Sequence, residues 1–226
     1  MSVTVAAHRH HSAPRTHGVM VLAVLRQAMF LVICVLGASL FAKSFVGQAF
    51  EVPSGSMEPT LRIGDSILVR RGLTQWSPPH RGDIVVFRDP GGWLPRTQPP
   101  LSPAAKALEF LGLIPYHSGE HLVKRVVAEA GDVVECHGPG PVYINGVASR
   151  EPYVAPDAMP CRTTFKVIVP ARSLWVLGDN RDNSADSRYH LDTLTGSVPL
   201  SSVVGTVLLT AWPPTHWKMH WEGTAG

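Results

Sequence analysis

Apolar residues fall along this chain in three regimes. From Val19 to Ala42 they run almost unbroken, interrupted only by Arg26 and Gln27. A membrane-crossing helix needs about 20 apolar residues. This run reaches that length if Arg26 snorkels its guanidinium to the headgroups, with Lys43 marking the other end. A cleaved signal peptide is the competing reading. The stretch Ala28 to Ala42 is at the upper limit for one, and Phe41-Ala42-Lys43 is a poor cleavage site. The pattern therefore predicts a retained anchor over 19–43 behind a tail over 1–18. Arg9, Arg15 and Arg26 precede that anchor and Lys43 alone closely follows it. The positive-inside rule then places the N-terminus in the cytoplasm and the bulk of the chain outside, in the cell membrane's single-pass topology.

The second regime is a series of short β-rich runs bounded by turn residues. Strands are predicted over Ser44–Val52, Asp65–Arg70, Asp83–Arg88, Leu122–Ala128, Asp132–Cys136, Phe165–Val169, Ser173–Leu177 and Val203–Trp212. Asn145-Gly146 between Val142-Tyr143-Ile144 and Val147 is a hairpin signal, because both turn positions want φ > 0. The third regime, Pro90 to His121, is rich in Pro and Gly and breaks the pattern. Ser102-Pro103 reads there as N-cap and first position of a helix to Leu113, with Ala104, Leu108 and Leu111 on one face. The region reads as a surface insertion at about 90–121. The expected fold is mainly antiparallel β over 44–226, behind one transmembrane helix.

Composition agrees with that division. Of 226 residues, 45% are hydrophobic and 16% charged, which is low in charge for a wholly soluble domain. The net charge of +3 is too mild to argue for a nucleic-acid partner. Gly and Pro number 20 each, favouring a turn-rich β domain over a helical bundle. Of three cysteines, Cys34 lies in the apolar run, while Cys136 and Cys161 either pair or stay free. Pairing would need an oxidising compartment. The tail's His-Arg-His-His run lacks the spacing of a metal site and reads as solvated. Trp212, Trp217 and Trp221 gather near the C-terminus, at a membrane interface or a core edge. The sequence sets no oligomeric state.

Candidate chemistry concentrates in three places. Pro53-Ser54-Gly55-Ser56-Met57-Glu58-Pro59 is a rigid turn able to present a hydroxyl at a fixed angle. Lys124 shares a strand face with Leu122 and Val126, and opposes Val123 and Arg125. A lysine so placed sits at a sheet rim or is buried with a purpose. Gly178 to Arg188 is a dense polar loop after an apolar strand. Its Asp182, Ser184 and Asp186 match the first spacings of a calcium loop, but Ser187 and Thr193 stand where Gly and Glu are required, so it reads instead as a rigid hydrogen-bonded loop with Asp–Arg pairs. Arg81-Gly82-Asp83 is a turn before a strand. No Gly-x-Ser-x-Gly elbow or supported histidine triad occurs, so lysine is the available base. Its pKa would have to fall by about 3 units to act near neutrality, which burial on an apolar face can do.

Pro53-Ser54-Gly55-Ser56-Met57-x-Pro59-Thr60-Leu61 resembles the serine box of type I signal peptidases. Arg81-Gly82-Asp83-Ile84-Val85-Val86-Phe87, Lys124-Arg125-Val126-Val127 with Gly131-Asp132, and Gly178 to Arg188 resemble their other boxes, in family order. The resemblance, covering about Phe45 to Trp212, is to actinobacterial members in the Asp-Pro-Gly-Gly-Trp opening of the insertion. It implies Ser56 as nucleophile and Lys124 as general base, with the Ser54 hydroxyl and the Ser56 N–H as oxyanion donors. It implies that Ser184 orients Lys124, that Asp179, Arg181, Asp186 and Arg188 brace the site, and that Met57 packs beside the nucleophile. The implied reaction is signal-peptide removal from exported preproteins at the bilayer, after small residues, through an acyl-enzyme. No cofactor or metal is implied. The lysine box departs from Gly-Leu-Pro-Gly-Asp, reading Ala128-Glu129-Ala130-Gly131-Asp132. Tyr189 to Ser197 also intervene before Val198-Pro199. A membrane-anchored domain that binds peptides without cutting them is the alternative of another class.

Overall fold

The computed structural model describes residues 16–71, 78–94, 102, 121–155 and 157–220, with side chains in the first helix described at 20–35 and 37. The chain divides into two units, Met1–Phe45 and Val46–Gly226. The first unit is helical. Helix α1 runs Thr16–Val46, and Met20, Leu22, Val24, Phe30 and Val35 are among its exposed apolar side chains. Among the described residues no helix is long and apolar enough to cross a membrane. The helix also takes up the start of the strand predicted at Ser44–Val52. It stops where Gly47 adopts φ 111°, and a Cβ there would lie 2.3 Å from the Val69 carbonyl oxygen. Only glycine fits so close a left-handed approach, so the strand begins one residue later.

The second unit is antiparallel β. Its strands are β1 (Gln48–Glu51), β2 (Ser66–Arg71), β3 (Ile84–Arg88), β4 (His121–Ala128), β5 (Val133–Cys136) and β6 (Tyr143–Ile144). They continue as β7 (Val147–Ala148), β8 (Phe165–Ile168), β9 (Ser173–Leu177), β10 (Val198–Pro199), β11 (Val203–Trp212) and β12 (Lys218–Met219). The larger sheet has the order β1-β2-β11-β3-β4-β9-β10, with β12 added to β11. The smaller has the order β7-β6-β5-β8. Asn145 at φ 53° and Gly146 at φ 80° turn the β6–β7 hairpin as the dipeptide predicts.

Strand β4 lies inside the larger sheet, between β3 and β9, and is buried along its whole length. One core cluster holds Leu122 and Val126 with Val85, Phe87, Leu174 and Val176. Another holds Val123 with Phe50, Met57, Leu61 and Val207. Apolar packing on both faces of β4 decides between the two sequence readings of Lys124. It is not at a rim; it is 3% exposed. A third cluster joins the sheets through Val134, Cys136, Cys161, Phe165 and Trp175. Cys136 and Cys161 form a disulfide.

The opening of the insertion exposes Gly91 and Gly92 but buries one side chain, Trp93. The Asp89 carboxylate accepts backbone N–H bonds from Gly91, Gly92, Trp93 and Leu94 at 2.9 to 3.2 Å. That knot turns Trp93 inward, edge-on to Phe87 and stacked on His190 at 4.4 Å. The helix predicted from Ser102 to Leu113 lies, beyond Ser102 itself, outside the described residues, as do the tail over 1–15 and Trp221. Trp212 and Trp217 are 61% and 60% exposed, so neither closes a core edge.

Candidate active site

The serine turn is shaped by its own residues. Gly55–Met57 forms one turn of 3₁₀ helix with Ser54 before it in extended conformation, and Glu58-Pro59 is a cis peptide. The turn buries Ser56 and Met57 while leaving Ser54 exposed. Met57 is fully buried in the cluster that includes Val123, so it fixes the turn to the sheet beside β4.

Lys124 reaches this turn from β4. Its Nζ lies 2.6 Å from Ser56 Oγ. Burial lowers the Lys124 pKa to about 8, against the opposing pull of the Asp186 and Asp179 carboxylates. A lysine at that value is neutral in about a tenth of molecules at pH 7, whereas an exposed lysine is almost never neutral. The Ser54 hydroxyl sits 3.3 Å from Ser56 Oγ. Ser56 Oγ is therefore within hydrogen-bonding reach of both the Lys124 amine and the Ser54 hydroxyl.

The Gly178–Arg188 loop closes the other side. Gly178 lies so near the turn that a Cβ on it would be 2.4 Å from the Ser56 carbonyl oxygen and 2.3 Å from Ser184 Oγ. The Asn180 N–H donates to that same Ser56 carbonyl at 3.1 Å, and its side-chain amide to the Gly55 carbonyl at 3.2 Å. Asp179 receives Arg125 Nε at 2.9 Å and Nη2 at 2.7 Å, with both side chains almost wholly buried. The Asp186 carboxylate takes Arg188 Nε at 2.8 Å and the Gly178 N–H at 3.1 Å. Ser184 is buried nearby, but its hydroxyl has no hydrogen-bond partner here, so the expected bond to Lys124 is not made. Among the described residues no group of three His, Cys, Asp or Glu is placed to hold a metal ion.

Residues 24–212 match the family model described as signal peptidase, peptidase S26. The chain belongs to that family. A probable signal peptidase I of Mycobacterium leprae is 34% identical, over 83% of this chain and 77% of that one. The signal peptidase I of Mycobacterium tuberculosis is 35% identical over 83% and 73%, and that of Leptolyngbya laminosa 34% identical over 76% and 71%. A solved signal peptidase I of Enterococcus faecalis aligns at 27% identity over 57% of this chain and 97% of that one. Its TM-score of 0.38 adds nothing to the fold described above. As a family member the chain is a hydrolase, a serine endopeptidase of the signal peptidase I kind.

In this signal peptidase, the sequence reading missed three contributors. Thr60, at the end of the serine box, donates its hydroxyl to Asp179 at 2.5 Å. Tyr153 lies under the Arg125 guanidinium, 4.0 Å from ring centroid to carbon. Glu151 pairs with Arg181, both side chains buried. The expectation that the loop's own aspartates pair with its arginines holds for Asp186 with Arg188. It does not hold for Arg181, whose partner is 30 residues away. No local pattern marks such a partner.

Proposed function

We propose that this chain is a membrane-anchored signal peptidase I that removes N-terminal signal peptides from exported preproteins. The 2.6 Å contact between Lys124 Nζ and Ser56 Oγ carries the reading. In the reactive form, neutral Lys124 takes the Ser56 hydroxyl proton as Ser56 Oγ attacks the scissile carbonyl. The oxyanion that forms is met by the Ser54 hydroxyl and the Ser56 N–H. The Lys124 ammonium then gives its proton to the departing amine, leaving the peptide acyl group on Ser56. Lys124 next accepts a proton from water, which releases the acyl group and restores the serine. Asp179, Arg181, Asp186 and Arg188 hold the loop that backs Ser56, and the buried hydroxyl of Ser184, which has no hydrogen-bond partner in this structure, is the group assigned to orient the lysine.

The substrate class rests on the family and on the names of the mycobacterial and cyanobacterial relatives. Anchoring rests on the apolar sequence of 19–43 and on the exposed apolar side chains along α1, which water solvates poorly. The positive charges before the run favour a cytoplasmic N-terminus and an extracytoplasmic peptidase, where the Cys136–Cys161 disulfide is stable. The test is cleavage of a purified preprotein with mass spectrometry of both products. Ser56→Ala and Lys124→Ala each abolish cleavage while the far-ultraviolet spectrum is kept. Full activity in either variant refutes the dyad. Membrane fractions washed at alkaline pH retain the chain if α1 anchors it and release it if α1 does not.

A further inference from the structure

Outside the four boxes, one segment meets the Gly178–Arg188 loop at Asp179 and Arg181 and also meets Arg125, the partner of Asp179. Residues 151–155 make three separate contacts with the machinery. The Ala155 N–H donates to the Asp179 carbonyl at 3.3 Å. The Tyr153 ring carries the Arg125 guanidinium that grips Asp179. Glu151 holds Arg181 through both carboxylate oxygens, one at 2.8 Å to Nη1 and the other to Nη2. The Tyr153 hydroxyl adds a bond to Glu151 at 3.2 Å.

Arg181 is the point through which this segment can act. Its side chain is 0% exposed and that of Glu151 is 4% exposed. Besides Glu151, its guanidinium donates to the Gly178 carbonyl at 3.1 Å and the Pro160 carbonyl at 3.0 Å. Its own carbonyl accepts from Arg188 Nη2 at 2.8 Å. The neighbouring Asn180 N–H holds the Ser56 carbonyl, and Gly178 touches that same oxygen's surroundings. A buried guanidinium keeps such a set of bonds only while its charge is balanced. The balancing carboxylate is Glu151.

We infer that Glu151 is a positioning residue for the peptidase reaction, fixing the Gly178–Arg188 loop, through Arg181, against the backbone of Ser56. The inference rests on the Ser56–Lys124 reading above. Glu151 touches neither the nucleophile nor the base. It sets where Ser56 Oγ stands relative to Lys124 Nζ, so its loss acts on the chemical step rather than on substrate capture.

The test uses the full chain in detergent, with a peptide spanning a signal-peptide cleavage site as substrate. Glu151→Gln keeps the shape and removes the charge. It is expected to lower kcat by about tenfold or more with KM within about twofold, since small misplacements act on the transition state. The double variant Glu151→Leu with Arg181→Met replaces the ion pair by apolar groups of similar size. It is expected to recover the unfolding midpoint without recovering kcat, because the Gly178 and Pro160 carbonyls still lack their donor. If Glu151→Gln does not fold, the double variant alone decides. A Glu151→Gln protein with parental kcat, or a double variant in which kcat returns with stability, overturns the inference. Ser56→Ala run beside them separates the cases: activity there refutes the dyad reading, whereas an inactive Ser56→Ala beside a fully active Glu151→Gln refutes only the role of Glu151.

Discussion

Gly178 meets the carbonyl of Ser56 so closely that one methyl group would collide with it. A Cβ at that position would lie 2.4 Å from Ser56 O and 2.3 Å from Ser184 Oγ. The contact is between two backbones, so neither side can rotate away. Gly178→Ala is therefore expected to push the serine turn from Lys124. Overpacking of this kind costs about 1–3 kcal/mol of stability, and a displacement near 1 Å costs about a hundredfold in rate. A kcat measurement beside a thermal melt checks both, and a parental kcat would show that the turn is free to shift.

The Arg125–Asp179 pair is the second brace with a measurable worth. Both groups are nearly dry, with side-chain exposures of 4% and 0%. Asp179 also accepts the Thr60 hydroxyl, which ties the serine turn to the loop. Asp179→Asn removes the carboxylate charge to which Arg125 Nε and Nη2 donate, and a loss of about 3–5 kcal/mol is expected. Thr60→Val removes a single bond to a carboxylate, for about 1.5–3 kcal/mol. Urea unfolding of the two variants measures the ordering, and equal losses would mean that Thr60 and Arg125 do not share Asp179.

Much of this arrangement is legible in the sequence, for reasons that differ by residue. Lys124 stands out because a charge amid Leu122, Val123, Val126 and Val127 contradicts its surroundings. Asn145-Gly146 stands out because two consecutive residues must take φ > 0. The loop Gly178–Arg188 stands out by polarity alone. Other features have no local signature. Gly47 ends α1 because of Val69, a residue of another strand. Trp93 turns inward because Asp89 collects four backbone N–H groups, in a stretch whose Pro and Gly content reads as a loop. Arg181 chooses Glu151 over the aspartates beside it because the fold, not the chain, makes them neighbours.

The disulfide joins residues 25 apart and lies in the cluster shared by the two sheets. Closing a loop of that length removes chain entropy from the unfolded state worth about 3.5 kcal/mol at 25 °C. Cys161 also follows Pro160, whose carbonyl accepts from Arg181 and Arg188. Reduction, or Cys136→Ser with Cys161→Ser, is expected to lower the unfolding free energy by about that amount and the urea midpoint in proportion. An unchanged midpoint with and without dithiothreitol would remove the bond from the stability of the fold.

The burial of Lys124 works against folding, and pH exposes this. Burial holds the Lys124 pKa at about 8 in the native state, below its ordinary value of 10.5. Between those values the unfolded chain binds the proton and the native chain does not, so stability rises with pH across that window. Below about pH 8 the native state carries the full penalty of a buried ammonium, about 3 kcal/mol from the size of the shift. Lys124→Met keeps the length and apolar stem of the side chain and removes the charge. It is expected to be inactive and, at pH 7, more stable than the parent by about 1–3 kcal/mol. In the parent, kcat/KM for a peptide substrate should rise about tenfold per pH unit below pH 8 and level off above it. A rate that is flat from pH 6 to 9 would mean that Lys124 is not the group whose proton controls the reaction, and a methionine variant less stable than the parent would mean that the buried ammonium carries no such penalty.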